Sequence, residues 1–301
     1  MMSVLEFKDV TKIYGKKKAL DNLTFSLGEN KITGLIGKNG AGKTTMLKIA
    51  AGFMRESSGE VKVFGEHPFN NLTVSANMIM IDNDMNLPAA LNLGELLETA
   101  ADFYKKWDMK LARNLLDYFG LDPKQTHNGL SKGMKNTFNA ILGLAARCPL
   151  TIFDEPTNGM DAGVRKDFYR ALLKDYIANP RTIIISSHHL NEVEDILEDI
   201  LLLKDGKQFL HKPIEELREF AVVVSGKEGA MKNWLRGHEV FHKSDTEFGR
   251  TYAVIRNDLS DDQIAAAMKN SLEFSTISNE DLCLYLTSQE KGGIDDVFNK
   301  G

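Results

Sequence analysis

Hydrophobic and polar positions change period several times along the chain, and each change marks a different kind of element. Residues 4–27 alternate as two half-buried antiparallel strands, Val4-Leu5-Glu6-Phe7 and Leu20 to Leu27, joined through Tyr14-Gly15-Lys16. The apolar run Ile32-Thr33-Gly34-Leu35-Ile36, the loop Gly37 to Gly42 and the segment Met46 to Ala51 read as strand, tight loop and helix. Two further strands are expected at Glu60–Gly65 and at Ala76–Ile81, the second ending at Asp82-Asn83-Asp84. From Asn92 to Trp107 and from Met109 to Phe119 the spacing becomes helical, and Ser131 caps a third helix that stops before Pro149. These helices predict a small all-α lobe inserted between strands, at about 85–147.

Thr151 to Pro156 and Thr182 to His188 are again apolar strands, one ending in Asp154-Glu155 and the other in a histidine. Ligands in a parallel α/β sheet sit beyond such strand ends. After Leu210 comes a linking helix at Ile214–Phe220. The remainder predicts strand at 221–224, helix at 230–235, strands at 239–242 and 251–255, helix at 260–270 and strand near 272–278. That βαββαβ order points to a small ferredoxin-like α+β lobe. The expected domains are therefore 1–212 and 213–301.

The 301 residues suffice for a full core and for one or two domains, and 43% apolar with 26% charged residues is a globular composition. No apolar run approaches the roughly 18 residues that cross a bilayer, so membrane contact is expected only through a partner. The amino terminus lacks the basic start and apolar core of a signal peptide, which predicts a cytoplasmic protein. Cys148 and Cys283 have no metal-like spacing and are expected in the core. A net charge of −5 argues against a general nucleic-acid binder, and Lys16-Lys17-Lys18 reads as a solvated turn.

The chemistry concentrates in Gly37-Lys38-Asn39-Gly40-Ala41-Gly42-Lys43-Thr44-Thr45. Glycine at 37, 40 and 42 would let the backbone take positive φ and turn its N–H groups into an anion nest at a helix N-terminus. Lys43 would reach the β- and γ-phosphates, and the Thr44 hydroxyl would ligate the bridging Mg²⁺. This is a complete Walker A loop, and it appears once. Tyr14, at the end of the first hairpin, is the candidate to stack on adenine. Asp154 is placed to hold the metal, and Glu155, the next residue, to activate the attacking water.

With these motifs in order, the chain resembles the ATP-binding subunits of ABC transporters. Leu130-Ser131-Lys132-Gly133-Met134 is similar to the family signature, Asn158-Gly159-Met160-Asp161 to its D-loop, and Ser187-His188 with Leu190 to Glu194 to its switch-histidine segment. The resemblance covers residues 4 to about 210. It implies an α/β P-loop NTPase of ABC type, with a parallel core sheet, an N-terminal antiparallel lobe and a helical lobe. It also implies ATP hydrolysis and a homodimer or heterodimer of ATPase subunits sandwiching nucleotide head to tail. Ser131, Gly133 and Asp161 would then complete the site on the other copy, and His188 would contact the γ-phosphate. A separate integral membrane permease would be driven from the inner face of the membrane, with no nucleic acid involved.

Departures from the family pattern are Asn83 in place of the Q-loop glutamine, expected near the metal, and Lys132 and Met134 within the signature. A cation at 132 would either approach the partner's phosphates or face solvent. The tail resembles C-terminal extensions on bacterial exporter-type ATPases. A weakened site also fits a nucleotide-gated regulatory or scaffolding subunit with little turnover; a further alternative is a soluble non-transport ABC protein, although those usually carry two cassettes or a long coiled-coil insertion and this chain has neither.

Overall fold

The computed structural model describes residues 3–246 and 249–287. The chain divides into two compact units, Met1–Ile214 and Glu215–Gly301. In the first, β1 (Ser3–Tyr14) and β2 (Lys17–Gly28) form an antiparallel hairpin that turns through Gly15 at φ +57. Leu5, Phe7, Val10, Leu20 and Leu23 are buried; the period of two holds from Leu5 to Phe7 and slips by one before Val10 and Leu23, where Asp9 and Asn22 take positive φ and the pairing shifts register. The stacked rings of Phe7 and Phe25, 4.8 Å apart, bind the pair across the strands.

The next strand, β3 (Ile32–Ile36), is buried along its whole length, and α1 (Lys43–Ala50) follows the glycine loop. β4 (Ser58–Val63) joins β1 and completes a sheet in the order β2-β1-β4. Met46, Leu47 and Ile49 of α1 sit in one core with Phe7 and Leu23 of the hairpin and with Leu35 of β3. Burying each such side chain contributes about 1.5–3 kcal/mol, so the helix behind the glycine loop is firmly anchored.

α2 (Leu72–Ala76) and β5 (Met78–Ile81) lead to α3 (Leu93–Phe103), α4 (Met109–Tyr118) and α5 (Lys132–Ala146). Asn92 and Glu95 cap α3 reciprocally, and the side chain of Asp108 caps α4. β6 (Leu150–Asp154), α6 (Ala162–Ala178), β7 (Thr182–Ser187), β8 (Asp199–Lys204) and β9 (Lys207–Pro213) complete the unit. The six-stranded sheet runs β5-β6-β7-β3-β8-β9, parallel except for β9. Its central strands are buried on both faces, which explains their continuous apolar runs. β3, β6 and β7 are adjacent and parallel, so the glycine loop, Glu155 and His188 leave the sheet at one rim.

At the division between the units lies α7 (Ile214–Arg218). β10 (Ala221–Lys227), α8 (Glu228–Trp234), β11 (Val240–Thr246), β12 (Arg250–Arg256), α9 (Asp261–Lys269), β13 (Glu273–Ser275) and α10 (Asn279–Thr287) form the second unit. Its antiparallel sheet has the order β11-β12-β10-β13. Val224, Met231, Ala253, Ile255, Ala267 and Leu272 make its core.

Several expectations need correction. Residue 76 ends a short helix instead of starting a strand, because Asn71 accepts from the Thr73 and Val74 N–H groups and nucleates a turn. β4 stops at Val63, since Phe64 and Gly65 take positive φ. The helix from Asn92 ends at Phe103, with Tyr104 already extended. α2, α6, β8 and α10 had no counterpart in the sequence pattern. Both cysteines are buried, as expected, and burial pushes the Cys148 thiol up to about 12.

Candidate active site

The loop after β3 owes its shape to two kinds of glycine. Gly40 (φ +85) and Gly42 (φ +107) take the positive φ that the sequence implies. Gly37 does not, and its requirement is space: a Cβ there would lie 2.6 Å from the Leu203 carbonyl oxygen of β8. Gly42 is constrained twice, because a Cβ would also meet the Ala19 carbonyl oxygen at 2.6 Å. Gly42→Ala is therefore expected to cost about 1–3 kcal/mol of backbone strain and to abolish nucleotide binding. A thermal melt with and without ATP checks this, and wild-type stabilisation by ATP in the variant would refute it.

A cavity of about 280 Å³ opens against this loop. Lys38, Asn39, Gly40, Gly42, Lys43, Thr44 and Thr45 form one wall, and Tyr14, Lys17 and Ala19 of the hairpin form the other, with Glu155 at its edge. Ala41 and Gly37 are not among the residues that line it. Tyr14 is half exposed, and its hydroxyl is 3.0 Å from the Met54 sulfur. Lys17, read as part of a solvated turn, is exposed and also lines the cavity.

Lys43 is buried, and its Nζ donates to the Gly37 carbonyl at 2.6 Å and lies 3.5 Å from Glu155 Oε1. The other carboxylate oxygen of Glu155 is 2.7 Å from His188 Nδ1. One carboxylate thus spans a cation and an imidazole. Glu155 itself has φ +51, uncommon for a non-glycine residue. Its N–H donates to Ser186 Oγ at 3.0 Å, while the Ser186 hydroxyl donates to Asp154 Oδ1. Asp154 and Ser186 are register partners between β6 and β7. Ser186, overlooked in the sequence, therefore orients both acids; only the strand pairing reveals it.

Thr44, Asp154 and Asn83 supply hydroxyl, carboxylate and amide oxygens, hard donors of the kind a magnesium ion takes alongside phosphate. Asn83 Oδ1 already accepts from Asn136 Nδ2 at 2.7 Å, and its own Nδ2 donates to the Glu155 carbonyl at 3.5 Å. Desolvation, the largest cause, raises the Asp82 carboxyl above its ordinary value, and the charges of Asp84 and Asp154 add to it.

The signature and D-loop residues lie elsewhere. Ser131 Oγ accepts from the Met134 N–H at 3.3 Å and so caps α5. Gly133 is packed on the D-loop backbone: a Cβ would stand 2.3 Å from the Gly159 carbonyl oxygen. Asp161 precedes α6, exposed and making no side-chain cap hydrogen bond. Lys132 is exposed and its stem lies over Gly159. Among the described residues, the lining of the 280 Å³ cavity includes none of these four.

The family described as ABC transporter matches residues 20–158. The chain is 30% identical over 224 residues to the bacitracin transport ATP-binding protein BcrA of Bacillus licheniformis, covering 73% of this chain and 72% of that one. A solved ATP-binding subunit of an ABC transporter superposes with a TM-score of 0.65 at 26% identity, over 72% of this chain and 92% of that one. The same fold, at 23% identity and a TM-score of 0.62, occurs in the dimeric post-hydrolysis cassette MJ0796 bound to ADP and phosphate, over 70% and 98% of the respective chains.

Proposed function

The chain belongs to the ABC transporter family as an ATP-binding and ATP-hydrolysing subunit that energises a membrane permease, and from that premise we propose how its residues divide the work. The backbone N–H groups around Gly40 to Thr45, at the positive end of the α1 dipole, take the triphosphate. Lys43 moves from the Gly37 carbonyl to the phosphates, and the Tyr14 ring covers adenine. Thr44, Asp154 and Asn83 are the residues that would hold Mg²⁺, whose charge would neutralise the phosphate oxygens. Glu155 takes the proton of the attacking water, and His188 orients that carboxylate and touches the terminal phosphate.

Ser131, Gly133 and Asp161 act on the nucleotide of a second cassette in a head-to-tail pair, as the dimeric MJ0796 cassette makes reasonable. The permease is a separate chain, and the cassette sits on the cytoplasmic face of the membrane. No described helix is long and apolar enough to cross it. The unit after Ile214 is an accessory domain of ferredoxin-like order. The single observation that carries this reading is the Glu155 carboxylate held between Lys43 and His188 at the edge of the phosphate cavity.

Ser131→Asp tests the paired site. Aspartate caps a helix as well as serine does, so α5 remains capped, but a negative charge would now face the partner's γ-phosphate. The variant is expected to bind ATP normally, fail to pair in ATP by sedimentation, and lose at least about tenfold in turnover, the equivalent of 1.4 kcal/mol. Unchanged pairing and turnover would remove Ser131 from the site.

A further inference from the structure

We propose that Asn136 is a positioning residue for the hydrolytic carboxylate, closing a ring of hydrogen bonds that ties the backbone of Glu155 to the helix headed by Ser131. Asn136 lies on α5 and is 4% exposed. Its Nδ2 donates to Asn83 Oδ1 at 2.7 Å and to the Asn158 carbonyl at 2.5 Å, using both amide hydrogens. Asn83 Nδ2 in turn donates to the Glu155 carbonyl at 3.5 Å, and the Asn158 N–H donates to the same oxygen at 3.2 Å. The ring runs Asn136, Asn83, Glu155, Asn158 and back to Asn136.

The four members come from three places: Asn83 from the segment after β5, Glu155 and Asn158 from the turn after β6, Asn136 from the helical lobe. The carbonyl that receives both strands of the ring belongs to the residue with φ +51, a sparsely populated conformation that persists only where surrounding bonds enforce it. Rotating that peptide would swing the carboxylate off Lys43 and His188. Asn136 is buried while Asn83 and Asn158 are exposed, so the cost of disconnection falls on the Asn136 amide, whose hydrogens lose partners in a place water does not fill. Movement of α5 is therefore transmitted to Glu155. This rests on the reading of Glu155 as the base for hydrolysis.

The test uses the full chain with its permease and the variants N136D, isosteric without amide donors, and N136S, small and too short to reach either partner. Both are expected to lower kcat by about ten- to a hundredfold, the range for a slightly misplaced catalytic group. The Kd for ATP should stay unchanged, since Asn136 does not line the cavity. Without nucleotide, hydrogen exchange at the Asn158 amide should accelerate. Asn83→Ala opens the same ring, so the double variant with N136S should be no slower than the slower single one. A kcat within twofold of wild type in N136S, or losses that multiply in the double variant, overturns the role of Asn136 while Glu155→Gln stays inactive. If Glu155→Gln itself turns over ATP, the reading beneath the proposal fails, whatever Asn136 does.

Discussion

Glu155→Gln is expected to lower ATP turnover by about 10²- to 10⁴-fold, the usual contribution of a positioned general base, and to leave an ATP-bound dimer. The backbone should be undisturbed, because it is held by main-chain bonds, the Glu155 N–H to Ser186 Oγ at 3.0 Å and its carbonyl from Asn83 and Asn158, and not by the side chain. What changes is acceptor count. The carboxylate offers one oxygen to Lys43, 3.5 Å away, and the other to His188 at 2.7 Å. Glutamine has a single acceptor oxygen, so one of those partners loses its contact, and the amide cannot take a proton from water at neutral pH. Phosphate release measures the first effect, and sedimentation in Mg²⁺-ATP measures the second. More than a tenth of wild-type turnover in the variant would mean that another group activates the water.

Lys43→Ala acts one step earlier, on binding. An ammonium hydrogen-bonded to a charged partner contributes about 1.5–3 kcal/mol, so Kd for ATP should rise roughly 10- to 150-fold. The effect in this site falls toward the upper end for a structural reason. Lys43 is buried and its ammonium is the cation facing Glu155, so its loss leaves a carboxylate 3.5 Å away uncompensated beside incoming phosphate. The Gly37 carbonyl also loses its 2.6 Å donor. ATP at a hundred times the wild-type Kd should stabilise the wild-type chain by about 2.7 kcal/mol and the variant far less, as read by a thermal melt. Equal stabilisation of both would place the triphosphate somewhere other than this loop.

The glycine loop was readable because its motif lies within nine consecutive residues: positive φ at Gly40 and Gly42, then a helix start at Lys43. Asp154, Glu155 and His188 were readable for a similar reason, since each ends an apolar strand, and strand ends are marked locally. Gly37 shows where that kind of reading stops. Its glycine looks like the others in sequence, yet its demand comes from Leu203, a neighbour only because β3 pairs with β8. The helix α6 was missed because few of its residues are buried, chiefly Phe168, Tyr169 and Leu172, leaving little apolar period to detect.

The chain by itself thus determined that a nucleotide loop, two acids and a histidine emerge from apolar strands, because φ preferences and apolar period act over a few residues. Only the tertiary structure decided that Ser186 orients Asp154 and Glu155, that Lys17 faces the cavity and that Asn136 reaches both Asn83 and Asn158. These are consequences of strand register and helix packing between segments tens of residues apart, and such register is set by the burial of whole sheet faces, which no local pattern encodes.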